Sequence, residues 1–243
     1  MNIEVWFDVA CPFCYVSKRR LAKALEDFPH KDAVTISYKS WELNPDAALY
    51  DGTNYYEAVM SEQKISNLRA KMFTDNINRQ AKDVGLTYNY DDLKQTNTFD
   101  AHRLIKLAEQ TNQEETIIEK LFHAHFTEGK DVGDLTTLLD IAIDSGLNQA
   151  EVQTALDDTT HYANEVRQDE EEAEQKDVSG VPFVIMNDTY TLAGAQPTIA
   201  FTRMLQKAWD ETEVATELPE TSPANENSIM CVGDSCTIAP KAN

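Results

Sequence analysis

The fold of this chain is organised around residues 5–14, which read Val5-Trp6-Phe7-Asp8-Val9-Ala10-Cys11-Pro12-Phe13-Cys14. Residues 3–7 alternate between apolar and polar and then run apolar, which predicts a short buried strand that ends before Asp8. From Tyr15 to Phe28 the apolar residues recur at helical spacing. A C-x-x-C motif thus lies between a strand and a helix, and this context favours a redox-active pair of thiols.

The start of a helix suits a reactive cysteine. A thiolate there meets unpaired backbone N–H groups and the positive end of the helix dipole, and both stabilise the anion that acts as the nucleophile. Pro12 fits the first helical position because it has no N–H to leave unpaired. We therefore predict that Cys11 is the exposed, attacking thiol, and that Cys14 is the more buried thiol that resolves a mixed disulfide.

Two other interpretations of the cysteine pair stay open at this stage. A C-x-x-C motif is also half of a tetrahedral zinc site, and buried cysteines without any chemistry are common in protein cores. The position between a strand and a helix favours the redox interpretation over both. Metal analysis of the purified protein would separate the zinc interpretation from the other two.

The composition limits the classes of partner. The 243 residues include 42 acidic and 21 basic side chains, for a formal net charge of -21, and 42% of the residues are hydrophobic. The chain is long enough to bury a substantial core, and its acidic surface disfavours nucleic acid and anionic membranes as partners. No apolar run is long enough to span a bilayer, and the first residues lack the features of a secretory signal.

These features favour a cytoplasmic location. In that compartment the four cysteines are expected to be catalytic or metal-binding rather than structural disulfides. The histidines His102, His123 and His125 show no recurring ligand spacing, and the last two point in different directions if they share a helix. We therefore assign no metal to them and expect no cofactor.

The segment after the first helix continues an α/β pattern. Residues 33–41 alternate as a strand does, and the order strand–helix–strand predicts a parallel pair with a right-handed crossover. From Tyr56 to about Gln175 the pattern is helical without a convincing strand. Within it, we expect the acidic run 169–172 to face water.

Strand patterns return late in the chain. Residues 183–186 and 189–193 are joined by the two-residue turn Asn187-Asp188, and a helix is predicted over 198–211. The outer pieces are too small to fold alone, so the helical block is interpreted as an insertion into one sheet domain. The predicted organisation is a sheet domain made of 1–53 and 179–211, a helical insertion domain over 54–178, and a tail over 212–243.

The tail carries a second pair of cysteines. Residues 212–243 begin with a segment rich in Glu, Pro and Asn, which predicts a flexible acidic linker. Cys231 and Cys236 follow in a C-x-x-x-x-C spacing, with a turn-forming Gly-Asp pair between them. We predict a second redox pair that exchanges electrons with the first one as a tethered dithiol. A self-contained disulfide and a metal clip are the open alternatives.

The order of elements, the early Cys11-Pro12-Phe13-Cys14 and the late Gly180-Val181-Pro182 resemble the DsbA family of thioredoxin-fold oxidoreductases. Residues 97–104 and 126–134 are similar to its FrnE-type branch, some members of which carry a C-terminal C-x-x-x-x-C. The resemblance implies an α/β thioredoxin-like fold interrupted by an all-helical insertion domain, with a C-terminal extension. It further implies a cis proline at Pro182 facing the cysteine pair. Substrate contacts are expected from Pro12, Phe13, Val181 and Pro182.

One departure from the family pattern affects the expected chemistry. The exported oxidant DsbA has a histidine immediately before its second cysteine, whereas this chain has Phe13 there. A phenylalanine neither donates a hydrogen bond nor carries charge. The Cys11 thiolate should therefore be less stabilised, and the disulfide less oxidising, than in that oxidant.

The leading interpretation is a thiol–disulfide oxidoreductase or isomerase that acts on protein or small-molecule disulfides, with oxidative-stress defence as one expected setting. One alternative is a glutathione-dependent isomerase of the 2-hydroxychromene-2-carboxylate type. That chemistry needs a single nucleophile, so the retained Cys14 argues against it. The other alternative is a structural zinc protein that uses Cys11, Cys14, Cys231 and Cys236.

Overall fold

The structure is a computed structural model that describes residues 1–217, 229–232 and 235–238. The chain divides into two compact units, Met1–Ala208 and Trp209–Asn243. The first unit contains the α/β fold that the sequence predicts.

A four-stranded sheet lies at the centre of the first unit. Its strands are β1 (Asn2–Phe7), β2 (Thr35–Ser40), β3 (Phe183–Met186) and β4 (Tyr190–Ala193), in the order β2-β1-β3-β4. The pair β1–β2 is parallel, as predicted, and the other two pairs are antiparallel. The carboxyl end of β1 therefore lies beside that of β2, and the cysteine motif begins there.

Helices occupy most of the remaining described residues. They are α1 (Pro12–Glu26), α2 (Tyr55–Gln63), α3 (Asn67–Lys82), α4 (Phe99–Glu109), α5 (Glu114–Phe126), α6 (Leu135–Asp144), α7 (Gln149–Asp157), α8 (Ala163–Gln175) and α9 (Thr198–Glu217). A short 3-10 turn, Lys31–Ala33, precedes β2. The thioredoxin-like fold interrupted by a helical insertion is thereby confirmed. Helix α4 lies at the centre of the inserted block, where it contacts α5, α6, α7 and α8.

Local sequence signals account for several boundaries. The Asp134 carboxylate accepts the Thr137 N–H and caps α6, and the Asn148 side chain accepts the Ala150 N–H and caps α7. At the β3–β4 turn, Asn187 and Asp188 have φ values of 50° and 53°. Asparagine and aspartate tolerate this left-handed backbone, which a tight hairpin turn requires. The predicted hairpin is confirmed.

A buried ion-pair cluster joins the helical block to the sheet. Lys106 of α4 lies 2.6 Å from Asp169 of α8, whose carboxylate also accepts the Ser40 N–H of β2 at 2.8 Å. Lys39 lies 3.3 Å from the same carboxylate. Asp169 is only 5% exposed. The prediction that the acidic run faces water is therefore wrong at this position, because two cations compensate for the burial of its charge.

Within the described residues, no helix has the length and apolar character needed to cross a membrane.

The second unit contains the end of α9 and a β-hairpin. Strands β5 (Ile229–Val232) and β6 (Ser235–Ile238) pair antiparallel, with Cys231 opposite Cys236. Directly opposed residues of such a pair have Cα atoms about 4.5–5.5 Å apart, which lies within the range for a disulfide. The predicted Gly-Asp turn and most of the predicted linker lie outside the described residues. Helix α9 continues six residues past its predicted end at Glu211.

Candidate dithiol active site

The cysteine pair occupies the start of α1. Cys11 is the N-cap residue, with extended backbone angles and no side-chain cap, and Pro12 takes the first helical position. The Cys11 N–H donates to the Asp8 carbonyl at 3.0 Å, and the Cys14 N–H donates to the Cys11 carbonyl at 3.0 Å. These two bonds close two consecutive turns, 8–11 and 11–14, and place both cysteines at the positive end of the helix dipole.

The Cys11 sulfur lies against the segment that precedes β3. Its thiol donates to the Val181 carbonyl at 3.7 Å, and the Val181–Pro182 peptide bond is cis, as predicted. Because this segment covers the sulfur, Cys11 is as buried as Cys14, each at 3% exposed. The prediction that Cys11 is exposed, and that Cys14 is the more buried of the two, is therefore wrong, although Cys14 is buried. Both residues are free cysteines in this structure.

The surroundings of Cys14 favour its protonated thiol. Burial raises the pKa of the Cys14 thiol well above its usual value, and the neighbouring Cys11 sulfur and Asp8 carboxylate raise it further. A backbone hydrogen bond from Asp8 compensates only in part. Cys14 is therefore held in its protonated form at neutral pH.

Asp8 is a buried carboxylate next to the pair, and it connects three parts of the chain. It accepts the Thr98 hydroxyl at 2.8 Å, the Leu43 N–H at 2.7 Å and the Ala10 N–H at 3.1 Å. His102 Nε2 lies 3.5 Å from the same carboxylate. Burial alone would raise the pKa of Asp8, but His102 and these hydrogen bonds outweigh it and lower the pKa. Asp8 is therefore a negative charge inside the site.

An aromatic cluster supports the motif from the side of the helical block. The Tyr88 hydroxyl donates to the Pro12 carbonyl at 2.8 Å. Its ring stacks on Tyr15, the residue after the second cysteine, with 6.2 Å between centroids. The Tyr15 ring also stacks on Phe122 of α5 at 4.8 Å. These contacts fix the first turn of α1, so the spacing of the two sulfurs does not depend on the turn alone.

An exposed apolar surface lies beside the motif. Leu68, Met72 and Phe73 of α3, here called the α3 patch, are each more than half exposed. The Phe73 ring contacts Phe13 of the motif, with 6.5 Å between centroids. The α3 patch is therefore continuous with Phe13, one of the two residues between the cysteines.

The three histidines singled out in the sequence lie in different environments. His102 is fully buried beside Asp8, and His125 is 2% exposed. The side chain of His123 is about half exposed and lies 3.3 Å from Glu128. Across the described part of the chain, no group of three or more His, Cys, Asp or Glu side chains is arranged to hold a metal ion.

Sequence reasoning identified the cysteines and the cis proline but missed Asp8 and Tyr88. In the sequence Asp8 indicates only the end of a strand, although a carboxylate three residues before a C-x-x-C motif is a detectable signal. Tyr88 lies 76 residues from its partner Pro12, and nothing local indicates that contact.

A cysteine pair at the start of a helix, after the central strand of a sheet and opposite a cis proline, defines a thioredoxin-fold dithiol protein. Residues 2–206 match the family model described as the DSBA-like thioredoxin domain. The chain belongs to this family.

Three solved structures are similar along nearly the whole chain. A protein described as a probable DsbA oxidoreductase from Streptomyces coelicolor is 35% identical, with a TM-score of 0.83, and the match covers 99% of this chain and 100% of that one. A 2-hydroxychromene-2-carboxylate isomerase is 18% identical (TM-score 0.60, 89% and 98% covered). The cytosolic disulfide reductase DsbM from Pseudomonas aeruginosa, solved with glutathione, is 12% identical (TM-score 0.60, 90% and 100% covered). The last two similarities show the shared fold.

Proposed function

We propose that the protein is a thiol–disulfide oxidoreductase or isomerase that acts on protein disulfides through Cys11 and Cys14. The observation that carries the proposal is the position of the Cys11 sulfur, 3.7 Å from the Val181 carbonyl at the cis Val181–Pro182 bond. An extended substrate chain that pairs with the backbone at Val181 would present its disulfide to this sulfur. In this proposal Pro12, Phe13 and Pro182 form the other walls of the substrate site.

The first step is attack by Cys11. Its thiolate displaces one sulfur of the substrate disulfide, which leaves as a thiolate, and a mixed disulfide forms. The position at the N-cap of α1 stabilises the attacking anion through the free N–H groups of the first turn. Attack also requires Cys11 to move out from the Val181 carbonyl, because the residue is only 3% exposed in this structure.

The second step is resolution by Cys14. Before attack, the Cys11 sulfur contributes to the raised pKa of Cys14. In the mixed disulfide Cys11 carries no negative charge, so this contribution disappears and Cys14 ionises more readily. The Cys14 thiolate then attacks the Cys11 sulfur, the second substrate thiol leaves, and the protein is oxidised by two electrons. The surroundings of Cys14 therefore keep its thiol protonated until the mixed disulfide has formed.

The test is insulin reduction with dithiothreitol as the terminal reductant. We expect Cys11→Ser and Cys14→Ser to reduce turnover to the rate of the reductant alone. Only Cys14→Ser should accumulate a mixed disulfide with insulin, detected by mass spectrometry under non-reducing conditions. Adducts from Cys11→Ser, with none from Cys14→Ser, would exchange the two roles. Wild-type turnover in both variants would contradict the proposed function.

Membership of the FrnE-type branch, a cytoplasmic location and a role in oxidative-stress defence belong to the same proposal. The fold shared with the cytosolic reductase DsbM supports the location. Phe13 in place of a histidine supports a weaker oxidant, which suits a reducing compartment. A reduction potential as oxidising as the roughly -120 mV of the exported oxidant DsbA would contradict this part of the proposal.

The tail pair is proposed to exchange electrons with the first pair. The support is the hairpin register, which sets Cys231 opposite Cys236. We expect a Cys231→Ser/Cys236→Ser variant, and a chain truncated after Glu217, to show slower turnover or an altered redox state of the Cys11–Cys14 pair. If both proteins match the wild type in rate and reduction potential, the tail takes no part in the chemistry.

A further inference from the structure

A cavity of about 620 Å3 lies beside the cysteine motif. Ala10 and Pro12 of the motif form part of its wall, and Asp8, Tyr90 and His125 also line it. The volume falls within the range of sites that hold small molecules, about 300–1,000 Å3. A molecule bound here would therefore lie next to the start of α1, where Cys11 reacts.

The cavity is acidic. Asp8, Asp46 and Asp51 line it, and no lysine or arginine is among the described residues of its wall. Hydrogen bonds with Thr53 lower the pKa of Asp51, so this rim carboxylate is ionised at neutral pH. The ammonium group of Lys94 lies 5.6 Å from the ring centroid of Tyr50, a residue of the wall.

The nearby Lys94 does not neutralise the negative charge of the cavity wall. It lines a neighbouring hollow together with Asp91, Asp92 and Glu128, so its surroundings are also acidic. A carboxylate ligand would thus meet a wall of like charge, whereas a cation would be attracted.

Three buried polar atoms of residues in the cavity wall lack hydrogen-bond partners within the described structure. They are the Tyr90 hydroxyl, His125 Nδ1 and Gln95 Oε1, and all three residues line the cavity. Tyr90 and His125 are 3% and 2% exposed, so the missing partners are a cost that a ligand could remove. Burial lowers the pKa of His125 to about 4, which leaves a neutral ring with one nitrogen able to accept. Each of the three atoms can therefore accept a hydrogen bond.

We propose that this cavity binds the ammonium group of an amine-bearing disulfide and so makes such disulfides preferred substrates of Cys11. An ammonium group has three donors and no acceptor, which suits the acidic wall and the unpartnered acceptors carried by residues of that wall. The proposal rests on the proposed function and names the substrate class of that site. The ammonium group can belong to a free diamine disulfide or to a lysine next to a cystine in a polypeptide.

The reaction needs no reductant beyond the protein itself. The Cys11 thiolate attacks one sulfur of the disulfide, the first aminothiolate leaves and takes up a proton, and a mixed disulfide remains. Cys14 then attacks the Cys11 sulfur and releases the second aminothiol. The substrate disulfide gains two electrons, and the protein acquires the Cys11–Cys14 disulfide.

The test is a single-turnover reaction of the pre-reduced full-length protein with three small disulfides. Cystamine is cationic, bis(2-hydroxyethyl) disulfide is neutral and 3,3'-dithiodipropionate is anionic. Each rate is divided by the rate of the same disulfide with dithiothreitol, which removes differences in intrinsic reactivity. We expect cystamine to react fastest and the dianion slowest.

Two matched variants separate the cavity from the general charge of the protein. Asp46→Asn/Asp51→Asn removes two charges at the cavity, and Asp140→Asn/Asp157→Asn removes two exposed charges elsewhere. The first variant should reduce the preference for cystamine over the dianion about tenfold at low salt, roughly threefold for each aspartate. The second variant should leave the preference unchanged. An equal effect of both variants would overturn the proposal.

Tyr90→Phe is the more specific variant. Because the hydroxyl has no partner in the described structure, its removal should leave the urea midpoint unchanged or raise it. The same change should slow the reaction with cystamine and spare that with the dianion. Unchanged relative rates for the three disulfides would contradict the proposal.

Two further arms keep the outcomes distinct. If the pre-reduced protein reduces neither insulin nor any of the three small disulfides, the proposed function fails. Protection of Cys11 from iodoacetamide by 1,6-diaminohexane, but not by 1,6-hexanediol, then still tests the cavity.

Disulfide-linked peptide dimers with Lys or Glu next to Cys identify the source of the ammonium group. Preference for cystamine alone indicates a free diamine disulfide, and preference for the Lys peptide alone indicates a polypeptide.

Discussion

Replacement of Asp8 by asparagine tests whether a buried charge organises the active site. The wild-type carboxylate accepts the Leu43 N–H, the Thr98 hydroxyl and the Ala10 N–H at 2.7–3.1 Å. An asparagine keeps one acceptor oxygen and presents an NH2 group to the other donors. The Thr98 hydroxyl can rotate to accept from it, but a backbone N–H cannot.

The magnitude follows from these contacts. A buried donor left without an acceptor costs about 1–3 kcal/mol, and the remaining hydrogen bonds lose the strength that a charged acceptor gives them. We therefore expect Asp8→Asn to lower the free energy of unfolding by about 2–4 kcal/mol at pH 7. The assay is urea unfolding of the reduced protein, with the exposed Asp157→Asn as the control that should change nothing.

The pH dependence gives a second, independent check. The pKa of Asp8 is lower in the folded protein than in the unfolded chain. Its contribution to stability is therefore present above the unfolded value of about 3.9 and is lost as the pH falls through the folded pKa. The difference in free energy of unfolding between the wild type and Asp8→Asn should become smaller below about pH 4. A difference that stays constant from pH 7 to pH 3, or an equally stable variant at pH 7, would refute the reasoning.

The same substitution should change the chemistry of the second thiol. The Asp8 carboxylate contributes to the raised pKa of Cys14, so Asp8→Asn should lower that pKa. Titration of thiolate absorbance in the Cys11→Ser background isolates Cys14 from its neighbour. A pKa of Cys14 that does not fall would show that Asp8 acts on the structure alone.

Three other perturbations test the buried contacts and the α3 patch. Lys106→Met removes one of the two cations beside the buried Asp169 carboxylate and leaves Lys39, so it should cost about 1–3 kcal/mol in urea unfolding, and adding Asp169→Leu should restore part of it; no recovery would refute the ion-pair argument. Burial lowers the pKa of His125 to about 4 in the folded protein, so between pH 6.5 and pH 4 the unfolded chain binds a proton that the folded protein does not. The wild type should therefore lose about 3 kcal/mol of stability over this range, and His125→Phe should remove that loss. Met72→Ser should slow insulin reduction but not that of a small disulfide, whereas the exposed Leu135→Ser should affect neither; equal effects on both substrates would argue against protein docking at the patch.

Most of the fold could be predicted because its signals are local. The strand before Cys11 and the helix after it follow from residue periodicity, and Asp134 marks the start of α6 by its own side chain. The turn at 187–188 needs only two residues that tolerate a left-handed backbone. The cis bond before Pro182 required the family resemblance, since its sequence allows a trans proline equally well.

The errors concern contacts between distant parts of the chain. Burial of Cys11 depends on Val181, 170 residues away, and burial of Asp169 depends on Lys106 and Ser40. Within an acidic run, no local sequence feature distinguishes a carboxylate that is solvated from one that is paired inside the protein. Sequence periodicity likewise indicated that α3 is a helix, but it did not show that Leu68 faces solvent.

The helical block contributes directly to the redox site. Thr98, at the start of α4, donates to Asp8, and Tyr88 donates to the Pro12 carbonyl. On α5, Glu119 accepts the Tyr15 hydroxyl at 2.5 Å and lies 3.0 Å from Lys18, so it holds the first turns of α1. The charge and the geometry around Cys14 therefore depend on both the sheet and the insertion, which is consistent with the single compact unit Met1–Ala208. Removal of the insertion would leave the Asp8 carboxylate without its Thr98 donor and expose the apolar face of α1, so the sheet elements alone should not form a working dithiol site.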